Sequence, residues 1–227
     1  MTTRPVPRGE QERGGQAGGA PAAGGPDRRA IGGVVGPLGF IAAWVIDGWR
    51  TAGYDPLDDA ISELAAVDAP TQVAMTLGFV VFGLGVGTYA FALRRQVAGP
   101  AWIAALVAAV ATLAVGATPL DAGVDTLHGV AAGTGYVALA LTPLLASRTF
   151  RAEGRSAAAD WSVAAGTVAA LALAATVVGG PHGFLQRLGL TAADAWLVGS
   201  AIWMLRRPAV VAAQGAAGTG TGGGGPT

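Results

Sequence analysis

Two histidines and several carboxylates have the types and spacing that could support metal binding or catalysis. Asp121, Asp125 and His128 follow one another at i, i+4 and i+7, which places them on one face if the stretch is helical. His182 is the second of the two histidines. Two histidines and an aspartate, with a fourth position open to water, suit zinc and a hydrolysis or transfer reaction on a lipid headgroup. We therefore take His128, His182 and Asp121 as candidate metal ligands.

Acid–base catalysis without a metal is the alternative chemistry for the same region. Its candidate catalytic residues are Ser62, Glu63, Asp121 and His128. Each also has a structural interpretation. Ser62 and Glu63 fit the solvated side of a surface helix, and Asp121 fits the cap of a helix that carries His128. The sequence leaves these interpretations open. It also leaves open whether the protein is an enzyme.

Composition excludes several classes of protein. The chain has no cysteine, which rules out disulfides, thiolate metal sites and cysteine nucleophiles. It has no lysine, so a phosphate-binding loop with its following lysine is absent, and no glycine cluster follows a strand as a dinucleotide site requires. The formal net charge is zero, which gives no overall field to attract nucleic acid. We expect membrane lipids as partners, and neither nucleic acid nor nucleotide.

Long apolar segments dominate the chain, which has 52% hydrophobic and 12% charged residues, whereas soluble domains carry about a quarter charged residues. A helix needs about 20 apolar residues to cross a bilayer. Six windows meet or approach that length, and their short connections predict an all-α bundle of six antiparallel transmembrane helices. The windows are Ala30–Trp49, Thr71–Leu93, Pro100–Leu120, Leu127–Ser147, Trp161–Gly180 and Gly189–Leu205. The last is the shortest, and it could extend backward through Phe184 and Leu185.

The charged residues divide between the two ends of these windows. Twelve of the fourteen cations, all arginines, fall at one end, which we call the Arg-rich end. Arg50 and Arg187 fall at the other, which we call the acidic end. Short cytoplasmic loops of membrane proteins are rich in Arg and Lys. The pattern predicts an even number of spans with both termini in the cytoplasm. Arg without Lys indicates a GC-rich bacterial genome, and hence the bacterial plasma membrane.

The two terminal segments differ from the apolar windows. Residues 1–29 are rich in Gly, Pro and Arg, and residues 208–227 end in a Gly/Thr run. We expect both to be disordered cytoplasmic tails. They would flank a transmembrane domain at residues 30–207.

The connection after the first window carries a predicted short amphipathic helix. Asp55 suits the N-cap, and Pro56 suits the first helical position. A helix that starts there would place Leu57, Ile61 and Leu64 on one apolar face. We expect this helix to lie on the outer surface or to fold onto the mouth of the bundle.

Further polar residues complete a predicted cluster at the acidic end. An ionisable group costs roughly 2.5–3.5 kcal/mol at the centre of a membrane helix, so buried members should pair. We expect Arg187 to be held by one of four carboxylates, namely Asp47, Asp121, Asp125 or Asp194. The cluster that we predict to bind a ligand or to stabilise the fold comprises Asp47, Asp58, Asp59, Ser62, Glu63, Asp121, Asp125, His128, His182, Gln186, Arg187 and Asp194.

Five short motifs carry a resemblance to a known family. They are Tyr54-Asp55-Pro56, Ile61-Ser62-Glu63-Leu64, Pro119-Leu120-Asp121, Leu127-His128-Gly129 and Gly183-Phe184-Leu185-Gln186-Arg187. Together they resemble the bacterial membrane family called domain of unknown function 998 (DUF998). The resemblance covers about Ala30 to Arg207. It implies a six-helix integral membrane domain with no established activity.

Three functions fit these observations. The first is an integral plasma-membrane protein that binds a lipid or a small hydrophobic ligand at the extracytoplasmic mouth of the bundle. The second is a membrane-embedded hydrolase or transferase that acts on a lipid headgroup, either by acid–base catalysis or with a divalent metal such as zinc; no other cofactor is evident. The third is an accessory structural subunit of an envelope complex. An apolar cavity with polar groups at its lip would favour the first function. Convergence of His128, His182 and a carboxylate on one point would favour the second.

Overall fold

The computed structural model describes residues 27–206, and in that range the chain folds into six α-helices and no strand. A 3-10 turn at Arg28–Ile31 leads into the first helix. The helices are α1 (Gly32–Arg50), α2 (Gln72–Gln96), α3 (Ala101–Ala117), α4 (Asp125–Ala152), α5 (Ser156–Val178) and α6 (His182–Leu205). The predicted disordered tails lie outside the described residues, apart from positions 27–29.

Five of the six helices are long and apolar enough to cross a membrane, so the chain is a multi-pass membrane protein. The exception is α3, which has 17 residues. At a rise of about 1.5 Å per residue this gives roughly 25 Å, slightly less than the hydrocarbon core of a typical bilayer. The all-α fold is therefore confirmed, whereas the predicted number of six spans is not established by helix length.

Each helix packs against the next one along the chain, and α6 returns to contact α1 and α4. Contacts at the Arg-rich end join helix termini that are distant in sequence. The guanidinium of Arg155 lies 4.4 Å from the ring centre of Phe150 and 3.9 Å from that of Trp203. These contacts hold the end of α4, the start of α5 and the end of α6 together.

Close packing of α1 against α2 depends on glycine. A Cβ atom added at Gly85 would lie 2.7 Å from the Cα of Gly36 and 2.8 Å from the backbone oxygen of Gly32. Small residues at a helix interface let the backbones approach, which is the main source of helix association in a bilayer. The Gly32/Gly36 spacing therefore has a direct packing role.

The first loop at the acidic end, residues 51–71, does not contain the continuous amphipathic helix that the sequence predicted. It has turns at positions 56–58 and a 3-10 helix at Ile61–Ala65. Within this segment Ile61 and Leu64 are buried, but Leu57 is 55% exposed. The predicted cap at Asp55 is present, because its carboxylate accepts a hydrogen bond from the backbone N–H of Leu57 at 2.9 Å and its backbone oxygen accepts one from Asp59 at 2.7 Å. This single turn does not continue into a helix.

Candidate functional site

A cavity lies inside the bundle at the acidic end, under the first loop. It encloses about 50 Å³, or about 490 Å³ when the space open to the surroundings is included, and it is partly open to the outside. Apolar side chains form most of its wall, and its polar lining residues include Ser62 from the first loop and His128 and Gln186 from the starts of α4 and α6. The lining residues are Phe40, Ile61, Ser62, Phe79, Phe82, Thr112, Val115, His128, Ala131, Ala132, Gly135, Tyr136, Leu139, Gln186 and Leu190.

Gln186 is a buried polar residue of the cavity wall that bonds to two other segments, and only 4% of it is exposed. Its Oε1 accepts a hydrogen bond from the backbone N–H of Ile61 at 2.8 Å, and its Nε2 donates to the hydroxyl of Tyr136. Because a backbone N–H can only donate, the amide oxygen must face Ile61. Gln186 therefore joins α6 to the first loop and to α4 at the edge of the cavity.

His128 lies in the first turn of α4 and is 6% exposed. Its Nδ1 is 2.6 Å from the backbone oxygen of Thr118. A carbonyl oxygen only accepts, so Nδ1 carries a proton and the neutral ring keeps its lone pair on Nε2. Within residues 27–206 no hydrogen bond holds Nε2, and the ring lines the cavity. A backbone carbonyl thus orients His128 as it would orient a base or a ligand.

Ser62 and Glu63 have different environments although they are adjacent. Ser62 lines the cavity, and its hydroxyl has no hydrogen-bond partner among the described residues. Glu63 is exposed, and its Oε1 accepts a hydrogen bond from the backbone N–H of Ala60 at 3.0 Å. Glu63 therefore closes the start of the 3-10 helix, which presents Ser62 to the cavity.

The three candidate metal ligands are not brought together. Asp121 is exposed, and so is His182, the first residue of α6, whereas His128 is buried against the cavity. The carboxylate of Asp125 accepts the backbone N–H of Asp121 at 2.9 Å, so Asp125, and not Asp121, shapes the turn before α4. Across residues 27–206 no group of three His, Asp or Glu residues is arranged to hold a metal ion. Zinc remains a prediction without an assembled ligand set in this part of the chain.

Arg187 is held by backbone carbonyls, so the expectation of a carboxylate partner was wrong. Its Nη1 donates to the oxygen of Pro56 at 2.8 Å and to that of Asp59 at 2.9 Å. The guanidinium carbon lies 5.4 Å from the ring centres of Trp44 and Tyr54. Among the described residues the ion pairs involve other arginines, and none includes Arg187. The first loop supplies neutral acceptors that take the place of a counterion.

Tyr54 connects Arg187 to the middle of the first loop. Its hydroxyl accepts a hydrogen bond from Nη2 of Arg187 and donates to the backbone oxygen of Ala60 at 3.1 Å. Burial raises the pKa of the Tyr54 hydroxyl, and the nearby positive charge of Arg187 opposes that rise. The hydroxyl is therefore neutral near pH 7, as the hydrogen bond that it donates requires.

The remaining predicted carboxylates serve different roles. Asp58 is exposed in a turn, and the Oδ2 of Asp59 accepts the backbone N–H of Asp55 at 2.7 Å. Asp47 is buried in the last turn of α1, where its Oδ2 has no partner among the described residues. These three residues shape the acidic end but do not line the cavity.

Asp194 lies much deeper than the sequence indicated. We expected it near the outer end of the sixth span, but α6 begins at His182, which places Asp194 halfway along the helix. It is 1% exposed, and neither carboxylate oxygen has a hydrogen-bond partner within residues 27–206. It is therefore separate from the cluster at the acidic end.

Comparison with known proteins identifies the family. Residues 34–203 match the model of the family described as protein of unknown function (DUF998). The chain belongs to this family. No curated protein matches the DUF998 chain, and no solved structure matches it.

The last DUF998 motif of this chain, Gly183 to Arg187, now has a structural explanation. A Cβ atom at Gly183 would lie 2.5 Å from the backbone oxygen of Asp59 and 2.7 Å from that of Pro56. The backbone N–H of Phe184 donates a hydrogen bond to the backbone oxygen of Leu57 at 2.8 Å. Together with the bonds of Gln186 and Arg187, these contacts attach the first loop to the start of α6. We call this set of contacts the loop clamp.

Two functional neighbours of the cavity in this DUF998 chain were not predicted. Tyr136 bonds to Gln186, and the backbone oxygen of Thr118 orients His128. Tyr136 lies eight residues after His128, about two helical turns, so spacing within the fourth window could have indicated it. A backbone carbonyl leaves no such signal in the sequence.

Proposed function

We propose that this DUF998 protein binds a lipid or a small hydrophobic ligand in the cavity at its acidic end. The apolar part of the ligand would occupy the space between α2, α4 and α6. Its polar part would meet Ser62, His128 and Gln186. The observation that carries the proposal is a mainly apolar cavity whose lining includes Ser62, His128 and Gln186 at the acidic end.

The lining of the cavity fits this class of ligand. Small-molecule sites commonly have mainly apolar walls and a few placed polar groups. Ser62 and the Nε2 of His128 are the polar groups without a protein partner at this cavity, among the residues described. They are free to accept or donate a hydrogen bond to a headgroup.

The proposed membrane arrangement is six spans in the bacterial plasma membrane, with both termini in the cytoplasm and the acidic end outside. α2 ends beside Arg94 and Arg95 at the Arg-rich end, whereas α4 begins at the acidic end, so α3 must connect the two ends despite its length. A cysteine placed at Ala122 tests this, because the chain has no native cysteine. A membrane-impermeant maleimide should label Ala122→Cys in intact cells and Ala98→Cys only after permeabilisation. Equal labelling of both would contradict the arrangement.

Thermal unfolding with oleic acid as the probe tests ligand binding. A ligand that binds the folded protein raises its Tm by mass action. Ala132→Phe would fill the cavity, whereas Val130→Phe places the same side chain on the exposed side of α4. We expect oleic acid to raise the Tm of the wild type and of Val130→Phe, but not that of Ala132→Phe. Equal shifts in all three proteins would contradict binding in the cavity.

The second candidate function is a lipid hydrolase or transferase, which the orientation of His128 favours. With Nδ1 bonded to Thr118, Nε2 could take a proton from an attacking water or from the Ser62 hydroxyl and return it to the leaving alkoxide of an ester; in the Ser62 route, water then hydrolyses the acyl-serine and releases the fatty acid. His128→Gln should then abolish fatty-acid release from phospholipid vesicles, whereas Val130→Phe should leave it unchanged. No release by the wild type would remove this candidate. The third function, a structural subunit, has no specific observation in its favour.

A further inference from the structure

A groove on the outer side of the bundle is separate from the central cavity. It lies between the end of α1 and the first loop and is lined by residues that include Trp44, Trp49, Thr51, Tyr54 and Arg187. The groove holds about 800 Å³, including space open to the surroundings, and shares no lining residue with the central cavity. It therefore calls for its own interpretation.

The charge of Arg187 is the first feature of this groove that points to a ligand. Its residue exposure is 9%, and within residues 27–206 no carboxylate lies within 4 Å of it. Among the described residues its hydrogen-bond partners are two carbonyl oxygens and one hydroxyl, and its buried Nε–H has no acceptor there. A buried cation that lacks a counterion attracts an anion more strongly than an exposed one, because water screens it less.

The aromatic residues of the groove indicate where that anion comes from. Trp49 is 88% exposed at the end of α1, and Trp44 lies one turn earlier on the same groove. Tryptophan and tyrosine at the ends of membrane helices lie at the level of the lipid headgroups. An anion that reaches Arg187 through this groove is therefore at headgroup depth, with apolar surface beside it for an acyl chain.

The nearest acidic residue of the loop does not occupy the groove. The carboxylate of Asp59 accepts the backbone N–H of Asp55 at 2.7 Å, and only the backbone oxygen of Asp59 contacts Arg187. The carboxylate of Asp59 therefore does not neutralise the positive charge that Arg187 presents to the groove, although the loop around it is acidic.

We propose that this groove binds a lipid with a negatively charged phosphate headgroup. The phosphate meets the guanidinium of Arg187, and the acyl chain lies along Trp44 and Trp49. This site goes beyond the proposed function and does not depend on it, because the two sites share no lining residue.

Native mass spectrometry of the purified protein tests the proposal. It measures the retention of phosphatidylglycerol, with phosphatidylcholine as the reference lipid. Thr51→Glu places a negative charge in the groove, and Thr51→Gln has the same shape without the charge. Ala122→Glu adds the same charge to an exposed position at the same end of the bundle. We expect Thr51→Glu to weaken phosphatidylglycerol binding about tenfold, because its carboxylate would repel the phosphate and compete with it for the poorly screened cation. Thr51→Gln and Ala122→Glu should retain the lipid as the wild type does.

Two further measurements keep the outcome decisive. Trp49→Ala removes a side chain that is largely exposed, so it should leave the Tm unchanged and still weaken phosphatidylglycerol retention. Ala132→Phe should leave that retention unchanged, which separates this site from the central cavity. Equal retention of the two lipids by the wild type, or equal loss in Thr51→Gln and Thr51→Glu, would overturn the proposal. Displacement of the lipid by millimolar inorganic phosphate would assign the site to a soluble anion and would also overturn it.

Discussion

Arg187 donates a hydrogen bond to the backbone oxygen of Pro56 at 2.8 Å, although the two residues are 131 positions apart in the sequence. This bond belongs to the loop clamp, which fixes the first loop over the bundle at its acidic end. The loop in turn supplies Ile61 and Ser62 to the wall of the cavity. The shape of the candidate ligand site therefore depends on contacts that α6 makes with a loop between α1 and α2.

Replacing Arg187 with glutamine should loosen the first loop and destabilise the protein. Hydrogen bonds from a charged donor contribute more than neutral ones, and the carbonyl oxygens left behind would lose their partners. We expect a loss of about 2–4 kcal/mol in the free energy of unfolding. Thermal or denaturant unfolding in detergent measures it. Arg151→Gln is the control, because its ion pair with Asp160 is exposed and such pairs contribute less than about 1 kcal/mol. Equal effects of the two substitutions would show that the loop clamp does not support the fold.

Replacing Gly183 with alanine should also open the loop clamp, by steric pressure alone. The added Cβ would lie 2.5 Å from a backbone oxygen of the loop, which cannot move as a flexible side chain can. We expect a loss of about 1–3 kcal/mol and faster hydrogen exchange at the Ile61 amide. Gly129→Ala is the matched control, since a Cβ there meets nothing within 4 Å and alanine favours the helix. A Gly183→Ala protein as stable as this control would contradict the predicted clash.

Replacing Asp194 with asparagine should leave the stability unchanged or increase it. The carboxylate is buried halfway along α6, and neither oxygen has a hydrogen-bond partner within residues 27–206. A charge without a partner in such a position disfavours folding, so a neutral side chain of the same shape removes a cost. Asp160→Asn on the exposed Arg-rich surface is the control. A Tm well below that of the wild type would mean that Asp194 makes a stabilising interaction as a charged group.

High pH should weaken the contribution of Tyr54 to stability. Its pKa is raised above the ordinary value of about 10, chiefly by burial, so the unfolded chain loses this proton first as the pH rises. The contribution is therefore complete below about pH 10 and is lost as the pH rises through the pKa of the folded state. Above about pH 10 the Tm of the wild type should fall more steeply than that of Tyr54→Phe. Parallel curves of Tm against pH for the two proteins would exclude this role of Tyr54. Because both proteins contain the other tyrosines, the comparison between them removes the effect of those residues.

The sequence predicted the helices and the region of the site but not the contacts within it. Apolar windows and the division of arginines located the bundle and its two ends. The partners of Arg187 and His128 are backbone carbonyls, and no residue type encodes those. The Pro181-His182-Gly183 stretch indicated a connection, yet α6 begins there, because proline is tolerated at the start of a helix. That earlier start is the reason why Asp194 lies in the middle of the span.

The position of a photo-crosslink shows whether an apolar ligand enters the cavity under the first loop. The probe is a fatty acid with a diazirine along its chain, added to the protein in lipid nanodiscs, and the labelled residues are located by mass spectrometry. We expect labelling of buried cavity residues such as Leu139 and Leu190, and loss of that labelling in Ala132→Phe but not in Val130→Phe. Labelling confined to exposed positions such as Val130 and Val137, unchanged by Ala132→Phe, would contradict it.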